Sequence, residues 1–166
     1  MRLFEPGDRA SLVEMYLGLP PSCRTMGLPP RGEGAVDAWL GDLESIGWNL
    51  VALDGQKVVG HVGVGPAANP TPQLVVFVHQ DYQGRRLGPE LVKHAIAYAA
   101  DDGFDGLQLS VAEGNQRAIR IYENIGFETL DYDWPTLGLD RDMCLSLTSP
   151  IAERVRLPPA ERDRTD

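Results

Sequence analysis

The sequence predicts a single α/β domain with a mixed, mostly antiparallel central sheet flanked by helices. The chain has 166 residues and 43% hydrophobic content, which suits one domain with a real core. Short apolar runs of strand length alternate with longer runs at helical spacing. Gly- and Pro-rich segments separate these runs, and the predicted order is β-α-α-β-β-β-α-β-α-β-β.

The first three predicted elements are a short strand and two helices. Met1–Phe4 is the expected strand, and the turn after it ends at Asp8, a plausible helix N-cap. The Pro- and Gly-rich segment Leu19–Gly34 predicts a loop or broken helix, and loops of this length are often functional. The second helix is expected over about Ala35–Ile46, where apolar side chains recur near helical spacing.

A hairpin and a central strand form the middle of the predicted sheet. Trp48–Leu53 and Lys57–Val64 flank the pair Asp54-Gly55, a strong turn signal between two apolar runs. The breaker cluster Pro66–Pro72 follows the hairpin. The apolar run Gln73–Val78 is then predicted as a central strand.

Helices and strands alternate in the rest of the domain. Leu87–Asp101 predicts a helix, with Pro89 in its first turn and Gly103 at its end. The remaining predicted elements are a strand over Leu107–Val111, a helix over Asn115–Asn124 capped by a left-handed Gly126, and strands over Phe127–Tyr132 and Met143–Leu147. We expect residues 1–148 to form the domain and 149–166 to be a charged, Pro-containing tail that is disordered or loosely attached.

Composition limits the classes of function. The net charge of -9 disfavours a general nucleic-acid binder, because phosphate backbones are held by basic surfaces. The two cysteines, Cys23 and Cys144, have no metal-ligand spacing, so no metal site is expected. No secretory leader and no apolar run of roughly 18 residues is found, so the expected location is the cytoplasm and no membrane partner is expected.

The turn QGRRLG, residues 83–88, lies between the central strand and the helix that begins at Leu87. A strand that enters a helix through a tight turn leaves N–H groups unpaired at the helix start, and these groups favour an anion. We expect a pyrophosphate against the amides of about Arg85 to Gly88. The glycine allows close approach of a phosphate, and Arg85 and Arg86 can add charge-assisted contacts.

A second segment, Asn115–Phe127, places polar groups on one helix face. Asn115 and Tyr122 are seven residues apart, close to two helical turns, so both can face a ligand that lies along the helix.

Together the two segments resemble the acyl-CoA-binding motifs of the GNAT superfamily of N-acetyltransferases. The family's phosphate loop is usually written Q/R-x-x-G-x-G/A, and here it reads Gln83-x-x-Arg86-x-Gly88, with arginine at a glycine position. The second motif, N-x-x-A-x-x-x-Y-x-x-x-G-F, is matched at Asn115, Ala118, Tyr122, Gly126 and Phe127. The predicted order of elements over residues 1–148 also resembles this family.

The resemblance implies an acetyl-CoA-dependent N-acetyltransferase that acts on a primary amine of a small molecule or peptide, by direct attack in a ternary complex. It implies that the central strand pairs with the pantetheine arm of coenzyme A and that Tyr122 protonates or hydrogen-bonds the leaving thiolate. The cofactor-binding residues expected from the two motifs are Val76, Phe77, Val78, Gln83, Gly84, Arg85, Arg86, Leu87, Gly88, Pro89, Asn115, Ala118 and Tyr122. A homodimer is an open possibility.

The general base stays open. Many family members use a glutamate near the start of the central strand, where this sequence has Gln73, a neutral amide that cannot accept the proton. Glu113 and His79 are weak candidates, and an amine that arrives deprotonated or a chain of water molecules are further options.

The sequence also allows comparison with two other functions. A non-catalytic acyl-CoA sensor on the same fold is the alternative. A dinucleotide enzyme is disfavoured, because the formal match Gly63–Ala68 is followed by Asn69–Pro72 where a helix must start.

The acceptor site is expected to form from Leu19–Gly34, the second helix and Tyr132–Asp142. The aromatic and acidic side chains of these regions that can receive a cationic amine are Trp39, Asp131, Tyr132, Asp133 and Trp134.

Overall fold

A computed structural model describes residues 1–24, 28–65, 71–130 and 140–148. The strands are β1 (Arg2–Leu3), β2 (Trp48–Asp54), β3 (Lys57–Gly65), β4 (Gln73–Val78), β5 (Gly106–Ala112), β6 (Glu128–Thr129) and β7 (Asp140–Ser146). The helices are α1 (Arg9–Leu17), α2 (Glu33–Ile46), α3 (Leu87–Asp101) and α4 (Gln116–Ile125). This is the predicted order of helices and strands, and the last strand begins three residues earlier than predicted.

The strands form one sheet in the order β1-β2-β3-β4-β5-β7-β6. Every neighbouring pair is antiparallel except β4 and β5, which are parallel. The predicted sheet, mixed and mostly antiparallel with flanking helices, is therefore confirmed.

The two parallel strands separate almost as soon as they meet. Among the described residues, Gln73 is the one position of β4 that pairs with β5, where its partner is Gln108. The amide of Gln108 also donates to the carbonyl of Pro72 at 3.0 Å. On its other side β4 pairs with β3 along its whole length. A gap therefore opens beside β4, toward its C-terminal end.

Each face of the sheet buries its own apolar cluster. On one face α3 and α4 cover a core that includes Leu74 and Leu109, with Val76 and Val78 packed at its edge. On the other face α1 and α2 cover a second core, against which Phe77 packs. Successive side chains of a strand point to opposite faces, so β4 contributes to both cores.

Glycines with a left-handed backbone close two of the predicted turns. Gly55 has φ 61° in the β2–β3 hairpin, and Gly126 has φ 114° at the end of α4. The amide of Phe127 donates to the carbonyl of Tyr122 at 2.9 Å, as expected of such a cap.

The predicted capping role of Asp8 is wrong in one respect. Asp8 occupies the N-cap position of α1, but its side chain makes no capping bond to that helix. Its carboxylate instead accepts from the Arg2 guanidinium at 2.7 Å and from the amide of Glu5 at 2.9 Å. The charged partner on β1 competes successfully for the carboxylate, and the position of that partner depends on tertiary structure.

A buried hydrogen-bond network joins α1 and α2 to the sheet. The Tyr16 hydroxyl donates to Nδ1 of His61, whose Nε2 donates to Oδ1 of Asn49 at 2.9 Å. The Asn49 amide in turn donates to the carbonyl of Leu43 at 3.3 Å. His61 and Tyr16 are fully buried. Burial lowers the pKa of His61 to about 3, so the imidazole is neutral.

No helix in the described ranges has both the length and the apolar composition that a bilayer crossing requires. The predicted tail, 149–166, and the segment 131–139 lie outside the described residues. The expected acceptor residues Asp131, Tyr132, Asp133 and Trp134 belong to that segment.

Candidate active site

A cleft of about 960 Å³ lies between the loop that follows β4 and the helix α4. One wall is the loop with the first turn of α3, and the other is the side of α4. The predicted cofactor-binding residues on its lining are Val78, Gln83, Gly84, Arg86, Leu87, Gly88, Pro89, Asn115 and Ala118. The structure thus brings the two sequence motifs to opposite walls of one cleft.

The loop enters α3 through left-handed backbone conformations. Gly84 has φ 78°, and Arg86, at the helix N-cap, has φ 64°. Arg86 is the one non-glycine residue with positive φ in the described ranges. A residue with a Cβ adopts this conformation at a cost of about 1–2 kcal/mol. The glycine usual at this position in GNAT proteins therefore has a conformational reason, and Arg86 is strained.

We expect Arg86→Gly to raise the free energy of unfolding by about 1 kcal/mol, because glycine adopts a left-handed backbone without strain. Acetyl-CoA binding should persist with a weaker dependence on salt, because one cationic side chain has been removed. Urea unfolding and calorimetric titrations at two salt concentrations measure both quantities.

Arg85→Gly is the matched control for this prediction. It also removes one loop arginine, but Arg85 is absent from the residues with positive φ, so glycine there should lower stability. If Arg86→Gly lost all binding, its side chain would be indispensable and the contribution of the backbone would be overstated.

The first turn of α3 presents fewer amides than most helices. Leu87 and Gly88 follow the N-cap, and Pro89 has no N–H. The amide of Glu90 already donates to the carbonyl of Arg86 at 3.2 Å. A Cβ on Gly88 would meet Val78 Cγ2 at an ordinary 3.8 Å. The protein thus has room for a methyl group there, so no neighbouring protein atom requires a glycine at this position.

Three basic side chains outside the predicted cofactor-binding set also line the cleft: Lys93 from α3, and Arg117 and Arg120 from α4. Lys93 pairs with Glu90 at 3.0 Å. A guanidinium nitrogen of Arg117 lies 3.8 Å from the point where a Cβ of Gly84 would be. The spacing of Arg117 and Arg120, three residues apart just after Asn115, was the available signal.

These side chains make the cleft a basic region on an acidic protein. The whole chain has a net charge of -9, yet three arginines and one lysine line the cleft against one glutamate. Such a concentration of one charge in a concave site attracts ligands of the opposite charge. The cleft therefore favours a polyanion.

The main chain of β4 presents alternate residues to the gap. The amide of His79 donates to the carbonyl of Val59 at 2.9 Å, which extends the β3–β4 ladder. Bonded and non-bonded pairs alternate in an antiparallel ladder, so Phe77 also bonds β3. Val76 and Val78 consequently direct their N–H and C=O groups away from β3. Of the three predicted strand residues, these two offer main-chain groups to a ligand.

Tyr122 lies in the C-terminal half of α4 and is absent from the cleft lining. Its ring packs against that of Phe127, with 5.9 Å between centroids, at the edge of the core beneath α3 and α4. Burial raises the pKa of Tyr122 to about 12, because the phenolate would be poorly solvated. The hydroxyl therefore keeps its proton at neutral pH and is able to donate a hydrogen bond.

Arg85 also lies off the cleft lining. Its guanidinium carbon is 5.0 Å from the centroid of the Tyr82 ring, a cation–π contact. The Tyr82 hydroxyl donates to the Asp54 carboxylate at 2.7 Å. Tyr82 thus joins the loop to the β2–β3 hairpin, and Arg85 stacks on its ring.

Both weak candidates for the general base, Glu113 and His79, form hydrogen bonds with other protein groups. Glu113 accepts from the Arg141 guanidinium at 3.0 Å, and this bond lowers the pKa of Glu113, which weakens it as a base. His79 uses its Nδ1 to accept from the amide of Asp81 at 3.3 Å, where it caps the turn after β4. Neither geometry favours proton transfer from an amine.

Comparison with known proteins identifies relatives of this arrangement. The model of the Acetyltransferase (GNAT) family matches residues 11–127. Over 82 residues, 48% of this chain, the sequence is 34% identical to the probable N-acetyltransferase camello of Xenopus tropicalis. The chain spans 37% of the length of this curated relative.

Solved structures share the fold. An acetyltransferase of the GNAT family from Streptococcus pneumoniae superposes with a TM-score of 0.71 at 23% identity, covering 87% of this chain and 97% of that one. A putative acetyltransferase from Salmonella typhimurium, solved with its cofactor acetyl-CoA, gives 0.70 at 22% identity, covering 88% and 92%. At these identities the likeness concerns the fold.

Proposed function

The chain belongs to the acetyltransferase (GNAT) family, and from this membership we propose that it transfers an acetyl group from acetyl-CoA to a primary amine in a ternary complex. The acceptor is a small molecule or a peptide. The observation on which the proposal rests is the gap beside β4, which opens toward a basic cleft at the end of that strand.

The residues present suit the cofactor of this family. Arg86, Arg117, Arg120 and Lys93 supply positive charge for phosphate groups, and the amides of the first turn of α3 add hydrogen-bond donors. In the gap, the free main-chain groups of β4 can pair with the amides of a pantetheine arm as a neighbouring strand would. Acetyl-CoA, when bound, supplies the acetyl group as an activated thioester.

Tyr122 supports the reaction as a hydrogen-bond donor. A thiol has a pKa near 8.5, about 3.5 units below that of the buried tyrosine, so complete proton transfer would be uphill by about 5 kcal/mol. A hydrogen bond from the neutral hydroxyl to a developing thiolate requires no such transfer and favours departure of the sulfur. We therefore propose that Tyr122 donates a hydrogen bond to the sulfur and that solvent finally protonates it.

Acetyl transfer to a panel of amines tests the proposal. The purified chain, acetyl-CoA and small amines, amino acids or peptides should release free thiol, with mass spectrometry detecting the acetylated product. Reactions without an amine control for hydrolysis, and calorimetry measures acetyl-CoA binding separately. Tight binding with no transfer to any amine would instead indicate a non-catalytic acyl-CoA sensor.

A further inference from the structure

A chain of hydrogen bonds crosses three strands where the gap begins. Nε2 of Gln73 on β4 donates to Oγ of Ser110 on β5 at 3.3 Å, and the Ser110 hydroxyl donates to Oδ1 of Asp142 on β7. Ser110 and Asp142 are direct cross-strand partners, while Gln73 pairs with Gln108, two residues before Ser110. The side chains of Gln73, Ser110 and Asp142 are all half-buried. The Asp142 carboxylate is therefore connected by a hydrogen bond to Ser110, which lies beside the gap.

These three hydrogen-bonded side chains lie on the face of the sheet opposite α3 and α4. Leu109 and Val111 point into the core beneath those helices, and Met143 does the same on β7. Side chains alternate along a strand, so Ser110 and Asp142 point to the other face. Since β4 and β5 separate here, the gap connects the cleft side of the sheet with the side that holds these two residues.

The hydrogen-bonding capacity of Ser110 leaves room for one more partner. A hydroxyl has one proton to donate and two lone pairs that accept. The proton is directed to Asp142 and one lone pair is taken by Gln73. The second lone pair is available to an N–H group of a molecule that enters the gap.

We propose that Ser110 and Asp142 form the proton-accepting pair for the amine in the acetyl transfer proposed above, on which this inference rests. Ser110 Oγ takes a proton from the amine nitrogen while the serine proton moves to Asp142 Oδ1. The nitrogen forms a bond to the acetyl carbon, and the C–S bond breaks with its electron pair on sulfur. Solvent then removes the proton from Asp142 and protonates the sulfur.

In this scheme Ser110 is the catalytic residue and Asp142 is a positioning residue that acts through it. Gln73 cannot take the place of Ser110 or Asp142 as proton acceptor, because its amide nitrogen donates hydrogen bonds but does not accept a proton. Its contact orients the Ser110 oxygen from the β4 side. The acid that many GNAT proteins have at the start of the central strand is thus replaced by one on β7.

Kinetics of single variants test the pair. Ser110→Ala and Asp142→Asn should each lower kcat about 100-fold, the scale of general base catalysis, with acetyl-CoA affinity by calorimetry unchanged. Asp140→Asn is the matched control, because it makes the same charge change at an exposed site of the same strand. Ser110→Thr keeps a hydroxyl and should keep most of the rate, a comparison that holds even if Asp142→Asn folds poorly.

A second-site rescue separates a proton-transfer role from a structural one. Gln73→Glu in the Asp142→Asn background places a carboxylate next to Ser110 Oγ, where Gln73 Nε2 now lies at 3.3 Å. We expect it to restore kcat about tenfold. An Asp142 with only a structural role would not be replaced by an acid on β4.

Two failures can be told apart. If the wild-type protein transfers acetyl groups but Ser110→Ala and Asp142→Asn keep its kcat, the pair is refuted and the acetyltransferase stands. If the wild-type protein binds acetyl-CoA and acetylates no amine, the proposed function is refuted, and the pair with it.

Discussion

Replacing Tyr122 with phenylalanine should lower kcat for acetyl transfer about 30-fold and leave acetyl-CoA affinity within about twofold. The factor corresponds to about 2 kcal/mol, the scale of a hydrogen bond to a charged group. Phenylalanine keeps the ring and its contact with Phe127, so the core beneath α3 and α4 should be preserved. The loss should therefore appear in the chemical step, where the sulfur becomes negative.

Steady-state kinetics and calorimetric titration of the Tyr122→Phe protein measure the two quantities. Tyr98→Phe is a suitable control, because Tyr98 is a buried tyrosine of α3 whose ring packs on Trp48, away from the cleft. Its kcat should match the wild type. An unchanged kcat in Tyr122→Phe, with chemistry shown to limit the rate, would eliminate the proposed donor role.

Lowering the pH from 7 to 5 should reduce the free energy of unfolding by about 2 kcal/mol through His61. Its pKa falls from an ordinary 6.5 to about 3 in the folded protein because burial disfavours the imidazolium. The unfolded chain thus binds a proton below pH 6.5 that the folded chain excludes. The stability is fully present above pH 6.5 and is lost progressively as the pH falls toward 3.

Urea unfolding between pH 7 and 5 isolates the histidines, because most carboxylates titrate below this range. Burial also lowers the pKa of His94, which adds a loss of the same sign. His61→Gln keeps a neutral group beside Tyr16 and Asn49, and its stability should depend less on pH, although it is lower at pH 7. An equal slope in both proteins would show that His61 does not cause the loss.

Local chemistry made much of the fold predictable. The bounds of α3 match the prediction, Gly126 has the left-handed conformation expected of it, and a turn occurs at Gly55 as expected. A helix was predicted to begin at Asn115, and the Asn115 side chain caps that helix by accepting from the amide of Ala118 at 3.2 Å. Such features depend on residues a few positions apart, which the sequence displays directly.

The candidate site was predicted less completely. Nine residues of the two motifs line one cleft in the structure. The same motif positions gave no indication that Arg85 would stack on Tyr82 or that Phe77 would bond β3. These outcomes depend on the direction in which a residue points within the assembled sheet and loop.

The order of helices and strands, the turn types and the family follow from patterns within short stretches, because backbone preference and hydrophobic period are local properties. The separation of β4 from β5, the basic side chains of α4 in the cleft and the Ser110–Asp142 contact between β5 and β7 arise only in the folded sheet. Each requires strands or helices distant in sequence to meet in one register and on one face. Residue spacing along a single segment contains no information on that register, which the packing of the two cores against the sheet determines.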